Sequence, residues 1–186
     1  CRVLLLAAYD TAFDDGPLQS AHVAPIALVF LSNLLRPDAQ ETFRYFASQG
    51  VSVRVISGDN PITVAQVATR AGIENADRYV DATTLSTEQD FEEAVKYYTV
   101  FGRVTPEQKR YLVRAFQKQG HTVAMTGDGV NDVLALKDAN CGIAMASGSQ
   151  AASQVAQIVL LNSQFSAMPA IVAEGRRVIN NIQRAA

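Results

Sequence analysis

Cysteine is scarce in this sequence: Cys1 and Cys141 are the two present among 186 residues. Thiols so far apart offer neither a metal-ligand spacing nor a disulfide framework, a pattern that suits a reducing compartment. An excess of one charge is missing as well, with 16 basic and 18 acidic side chains and a net charge of -2. No basic stripe stands out, so nucleic acid is not an expected partner. Long hydrophobic runs are also absent. The longest, VAPIALVFLSNLL at positions 23–35, is broken by Pro25, Ser32 and Asn33. It falls short of the roughly 20 apolar residues that cross a bilayer. There is no targeting peptide, no repeat and no low-complexity tract. The chain opens directly in a strand-like run, CRVLLLAA, and its last residues, INNIQRAA, carry no glycine or proline stop. It reads as an excised piece of something larger, soluble as given.

What is present is a globular composition, 48% hydrophobic and 18% charged, in a chain long enough for one domain with a substantial core. Short apolar, β-branched runs alternate with amphipathic stretches. Strands are expected at RVLLLAA, IALVFLS, VSVRVIS, TVFGRV, HTVAMT, CGIAMA and QIVLL. Helices are expected from PDAQETF to Gly50, from Pro61 to Gly72, over STEQDFEEAVKYY, and from Pro106 to Gly120. Further ones follow at DVLALKDA, SQAASQVA and AMPAIVAEGRRVINNIQRAA. Such alternation predicts an α/β fold, a mostly parallel sheet with helices on both faces. Ligands in such sheets collect beyond the carboxyl ends of the strands.

Three polar clusters fall at that kind of place: SGDN after VRVI, GRVTPEQK after TVF, and TGDGVND after HTVAM. If their strands are neighbours, all three meet in one crevice. Each has a plain structural explanation. Ser57, Gly58, Asp59 and Asn60 ahead of Pro61 make a good turn and helix cap. Lys109, early in a helix, taken alone is an ordinary surface lysine. TGDGVND is harder to explain as a turn. Gly127 and Gly129 permit close backbone approach, and Asp128 and Asp132 bring two carboxylates near one point. Hard carboxylate oxygens suit Mg²⁺, which keeps waters and borrows phosphate oxygens. A phosphate wants the Ser57 hydroxyl, backbone N–H groups and the Lys109 ammonium. Together these describe phosphoryl transfer, where positioning and electrostatics carry the reaction.

The motifs VISGDN, FGRVTPEQK, TGDGVND and EGRRVINNI, in this order along the chain, resemble those of the P-type cation-transporting ATPases. The phosphorylation domain of these membrane pumps has the haloacid dehalogenase-like fold, a Rossmann-like three-layer sandwich. The resemblance implies ATP and Mg²⁺ as cofactors, with Asp128 and Asp132 as the metal residues, Asp132 also as a near neighbour holding phosphate, lysine or a metal-bound water. Lys109 resembles the lysine that neutralises the transferred phosphoryl group. Ser57 and Gly58 resemble the pair that hydrogen-bonds its oxygens, and Asp59 completes that loop. Asn131 resembles a neighbour holding phosphate, lysine or metal-bound water. Arg103 and Arg2 resemble nucleotide-contacting residues. NLLRPDA lies where the family's hinge usually reads DPPR, with Asn33 in place of an aspartate. NDVLALKDANCGIAMASGS is closest to a bacterial group of the family, for which Ca²⁺ is the first guess as transported ion.

One expected motif is missing. The family's nucleophile is the aspartate of DKTGT, and no such stretch occurs here. Asp81 in DATTL is a decoy: RYV before it is short and charged, glycine is lacking, and it follows SGDN instead of preceding it. The fold is therefore expected to lack the nucleophile strand, leaving an open slot or an exposed edge. Residues 1–22 are expected to end a nucleotide-binding domain, 23–170 to form the phosphorylation domain, and 171–186 to begin a stalk helix. That helix would lead to transmembrane segments outside this chain. Such a domain would lie on the cytoplasmic side of a cell membrane. Two other readings stay open: a soluble haloacid dehalogenase-like phosphatase, and a non-catalytic Mg²⁺- or nucleotide-binding module.

Overall fold

A computed structural model describes residues 2–10, 22–31 and 34–185. Asn33 and residues 11–17 of the expected loop lie outside the described residues. The chain divides into two compact units, Cys1–Leu35 and Arg36–Ala186.

The first unit is an antiparallel pair, β1 (Arg2–Tyr9) and β2 (Val23–Leu31). Arg2 sits opposite Leu31 and Tyr9 opposite Val23, with a register shift between Leu6 and Ala7. Pro25 opposes Ala7 at that irregularity, where a residue with no N–H can be tolerated in a strand. β2 thus starts three residues earlier than the run IALVFLS. Positions 22 and 23, an expected domain boundary, fall inside this unit.

The second unit alternates helix and strand: α1 (Ala39–Ser48), β3 (Val55–Ile56), α2 (Pro61–Arg70), β4 (Tyr79–Asp81), α3 (Glu88–Tyr97), β5 (Val100–Gly102) and α4 (Pro106–Lys118). It continues with β6 (Ala124–Gly127), α5 (Val133–Asp138), β7 (Cys141–Met145), α6 (Gln150–Val155), β8 (Ile158–Leu160) and α7 (Met168–Ala185). Side-chain caps set the helix starts. Asn60 accepts from the Ile62 N–H ahead of Pro61, and Thr105 with Gln108 forms a capping box around Pro106. Gly50, Gly72 and Gly120, the expected stops, all take positive φ.

The strands form two parallel sheets, ordered β3-β5-β4 and β6-β7-β8. β4, which sequence patterning passes over, is an edge strand beside β5. Successive strand residues point to opposite faces, and β5 shows the consequence. Val100 packs with Ala65 and Ala68 of α2, while Phe101 packs with Phe91 of α3 and with Leu112 and Phe116 of α4. β7 repeats the pattern: Ile143 meets Phe46 and Met168 on α1 and α7, and Ala144 meets Val113, Leu136 and Ala152 on α4, α5 and α6. Both sheets therefore carry helices on both faces, the expected three-layer α/β arrangement. α4 contributes to two cores at once, Leu112 and Phe116 to one and Val113 to the other.

Among the described residues, β3 pairs only with β5 and β6 only with β7. β3 and β6 are therefore edge strands, each unpaired on one side among the described residues. β3 is two residues long, much shorter than VSVRVIS, because a strand paired on one side extends only as far as its neighbour's ladder.

Candidate functional site

The three polar clusters follow β3, β5 and β6 at their carboxyl ends, and two of them are stitched together by backbone. The Ser57 N–H donates to the Phe101 carbonyl at 2.9 Å, the Val104 N–H to the Ser57 carbonyl at 3.0 Å, and the Arg103 N–H to the Asp59 carbonyl at 2.8 Å. Within the first loop, Ser57 Oγ accepts from the Asp59 N–H at 3.1 Å. Its hydroxyl proton stays free to donate. Gly58 and Asp59 are exposed. Asn60 acts as the cap that the bland reading foresees.

Lys109 joins the second and third clusters. Thr105 and Pro106 start α4 so that Lys109 falls in its first turn, and its Nζ lies 2.6 Å from Asp132 Oδ1. The two side chains are 14% and 8% exposed, so water screens their attraction little. Lys109 is thus no solvated surface lysine. The other oxygen of Asp132 accepts from the Gly129 N–H at 3.0 Å and the Asp128 N–H at 3.3 Å. This is why Gly127 is glycine: a Cβ there would stand 2.5 Å from the Asp132 Cβ and 2.8 Å from its Oδ2. The close approach permitted by Gly127 serves the loop's own aspartate.

Asp132 and Asp128 therefore differ in office. Both Asp132 oxygens are engaged, Oδ1 by an ammonium and Oδ2 by backbone N–H groups. Asp128 is exposed, and among the described residues its side chain makes no hydrogen bond or ion pair. No group of three or more His, Cys, Asp or Glu side chains converges among the described residues. Carboxylate oxygens at this loop fit a hard cation, with waters and a phosphate completing the shell, which is a common arrangement for Mg²⁺. Asn131 is exposed beside Asp128.

Arg103 takes a positive φ of 53° and sends its guanidinium to Asp81, 2.9 Å away. Asp81 ends β4, caps the turn at Ala82–Thr84 and accepts from both the hydroxyl and the N–H of Thr83. Those hydrogen bonds, and then the Arg103 charge, hold its carboxyl below the usual carboxylate range. It ends a strand and caps a turn, where an ordinary loop residue is expected from sequence. Arg2 opens β1 in the other unit, and its side chain lies outside the described residues.

Two features near the site are invisible in the motif pattern. Asp138 accepts from Arg110 Nε at 2.7 Å and Arg114 Nε at 2.6 Å. Gln117 bonds the Asp138 carbonyl and Asn140 Oδ1, and Asn140 Oδ1 also takes the Val123 N–H. This network ties α4 to α5 and to the start of β6. The second feature is the turn after β7, where the Ser149 N–H donates to the Asp128 carbonyl at 2.7 Å. Only the capping signal of Ser149 could be read from sequence.

A parallel α/β sandwich with polar loops at its strand ends is a fold that hosts many activities. Residues 4–140 match the family model described as haloacid dehalogenase-like hydrolase, and the chain belongs to that family. Within it, the likeness is to cation-transporting ATPases. The chain is 56% identical over 186 residues to the calcium-transporting ATPase CtpE of Mycobacterium tuberculosis, covering 100% of this chain and 23% of that protein. It is 44% identical over 182 residues to the probable cation-transporting ATPase exp7 of Streptococcus pneumoniae, 97% of this chain and 23% of that one. Among solved structures, a zinc-transporting PIB-type ATPase in its E2.Pi state superposes with a TM-score of 0.67 at 26% identity. That match covers 89% of this chain and 23% of the other. The chain thus spans about a quarter of the length of the relatives it matches, and corresponds to one part of such ATPases, as its motifs led one to expect.

Proposed function

We propose that this chain is the phosphorylation-domain portion of an ATP-driven P-type cation pump. The observation that carries the reading is the shielded Lys109–Asp132 pair, 2.6 Å apart, beside an exposed Asp128 at the end of β6. A structural turn has no need of a desolvated lysine aimed into it. Positive charge held where water is scarce is what a transferring phosphoryl group requires.

In this reading the Ser57 hydroxyl and the Gly58 N–H hydrogen-bond the phosphoryl oxygens, with Asp59 bracing their loop. Lys109 neutralises developing charge, and Asp132 holds Lys109 in place while closing the Asp128–Gly129 turn. Asp128 is the carboxylate for Mg²⁺, and Asn131 reaches the phosphate or a metal-bound water. When bound, Mg²⁺ offsets the charge of the phosphate oxygens as a Lewis acid. Arg103 and Arg2 contact the nucleotide; for Arg103 this entails release from Asp81. The nucleophile is an aspartate on a strand that pairs with the open edges of β3 and β6. Its carboxylate oxygen bonds to the γ-phosphorus of ATP as the bond to the bridging oxygen breaks, and ADP leaves. α7 continues toward the membrane, with the domain on the cytoplasmic side. The relative named for calcium transport supports Ca²⁺ as the transported ion.

The coding sequence on either side tests this: DKTGT upstream and an apolar span of about 20 residues soon after Ala186 are expected. A stop codon directly after Ala186 would sink it in favour of a soluble phosphatase. In membranes bearing the longer protein, ATP labelled at the γ-position should yield an acid-stable, Mg²⁺-dependent phosphoprotein. That labelling should be lost in Asp128→Asn and Lys109→Met, and should respond to Ca²⁺.

A further inference from the structure

We propose that Gly148 and Ser149 are positioning residues for the metal-binding carboxylate, a seat on which the backbone of Asp128 rests. This rests on the reading of Asp128 as the Mg²⁺ ligand. Asp128 follows β6 with no side-chain partner among the described residues, so its backbone contacts set where its carboxylate points. Asp132 holds the Asp128 N–H on one side, at 3.3 Å. On the other side, the Ser149 N–H donates to the Asp128 carbonyl at 2.7 Å, the shortest of the backbone bonds around the three loops.

Gly148 shows how close the two turns are. A Cβ at Gly148 would lie 2.2 Å from the Asp128 carbonyl oxygen and 2.9 Å from its carbonyl carbon and its Cα. All three contacts are backbone, so no rotamer change relieves them. Any side chain there displaces Asp128 by roughly 1 Å to restore ordinary van der Waals distance. Yet Gly148 is exposed, and its φ is not in the left-handed region. Neither core packing nor backbone conformation therefore accounts for a glycine at this position; contact with Asp128 does.

The seat is itself braced. The Gly148 N–H donates to the Met145 carbonyl at 3.0 Å, and the Ser147 N–H to Ser163 Oγ at 2.9 Å. Ser149 Oγ accepts from the Ala151 N–H at 3.2 Å, starting α6. The turn is thus anchored to β7, to the segment after β8 and to α6, and it transmits their rigidity to Asp128. Supporting contacts of this kind orient metal ligands, and disturbing them commonly weakens metal affinity about 10- to 100-fold.

The test is a Mg²⁺ titration of the isotopically labelled 186-residue chain followed by amide NMR, with thermal unfolding in parallel. In the parent chain the Asp128, Gly129 and Ser149 amides should move along one saturation curve, and Asp128→Asn should abolish the movement. Gly148→Ala should shift the midpoint at least about tenfold higher in a chain that still shows a dispersed, folded spectrum. A merely structural glycine would lower the unfolding temperature and leave the midpoint alone, and that result overturns the proposal. Should Gly148→Ala not fold, the parent titration decides. A Ser149 amide that moves with Asp128 supports the seat, and one that stays still overturns it. If the parent does not respond to Mg²⁺, or responds equally in Asp128→Asn, the metal assignment of Asp128 fails and the seat falls with it.

Discussion

Asp128 and Asp132 lie four residues apart in one motif and obey opposite constraints. Asp132 is 6% exposed and satisfies Lys109 together with two backbone N–H groups, so its loss leaves a shielded ammonium and two donors without partners. Removing one member of such a pair costs about 3–5 kcal/mol, and Asp132→Ala should lower the unfolding temperature by roughly 10 °C or more. Asp128→Ala removes an exposed carboxylate with no protein partner, and should leave the unfolding temperature within about 2 °C of the parent. Scanning calorimetry of the two variants separates them; equal losses would refute the division of roles. The acids and Lys109 were legible in sequence as candidates, because phosphoryl chemistry demands those residue types beyond strand ends. Which acid faces the lysine was not legible. That depends on the approach of α4 to the turn after β6, and i, i+4 spacing says nothing of it.

At the scale of elements, α4 does the most connecting, since it lines two cores and carries Lys109. Its register against α5 is held by Arg110 and Arg114 on Asp138. Burial opposes the charged form of Asp138, but hydrogen bonds and positive charge from the two arginines outweigh it and hold the carboxyl below the ordinary range. A carboxyl depressed in the folded state stabilises fully above its unfolded value of about 3.9. That contribution is lost as pH falls through the folded pKa. Asp138→Asn should therefore be less stable than the parent at pH 7 by about 1–2 kcal/mol. The gap should close progressively below about pH 4. Unfolding temperatures measured from pH 7 to pH 2.5 check this, and a constant gap would show that the charge is irrelevant. The helices themselves were readable from caps, prolines and glycines, because those signals act within a few residues. β4 was missed because three residues, one of them an aspartate, become a strand only when β5 offers a ladder.

On the scale of the whole molecule, β3 and β6 each leave one strand edge unpaired among the described residues. Unpaired edges invite pairing with another chain, so the 186-residue chain should self-associate as its concentration rises. Ala124→Lys, at an exposed position of β6, should reduce that association; sedimentation velocity of the two chains decides. The chain by itself should not hydrolyse ATP. Mg²⁺-dependent turnover by the pure chain, abolished by Asp128→Ala, would falsify the missing-nucleophile reading. Sequence by itself determined the alternation of elements, the parallel class and the identity of the polar loops, since apolar periodicity, caps and residue chemistry are local properties. Tertiary structure alone decided that Lys109 is shielded against Asp132 and that Asp128 stands free on a seat made by Gly148 and Ser149. It also decided that the parallel strands fall into two sheets, β3-β5-β4 and β6-β7-β8. Those facts arise from contacts between segments distant in the chain, and no local pattern encodes a distance across a fold.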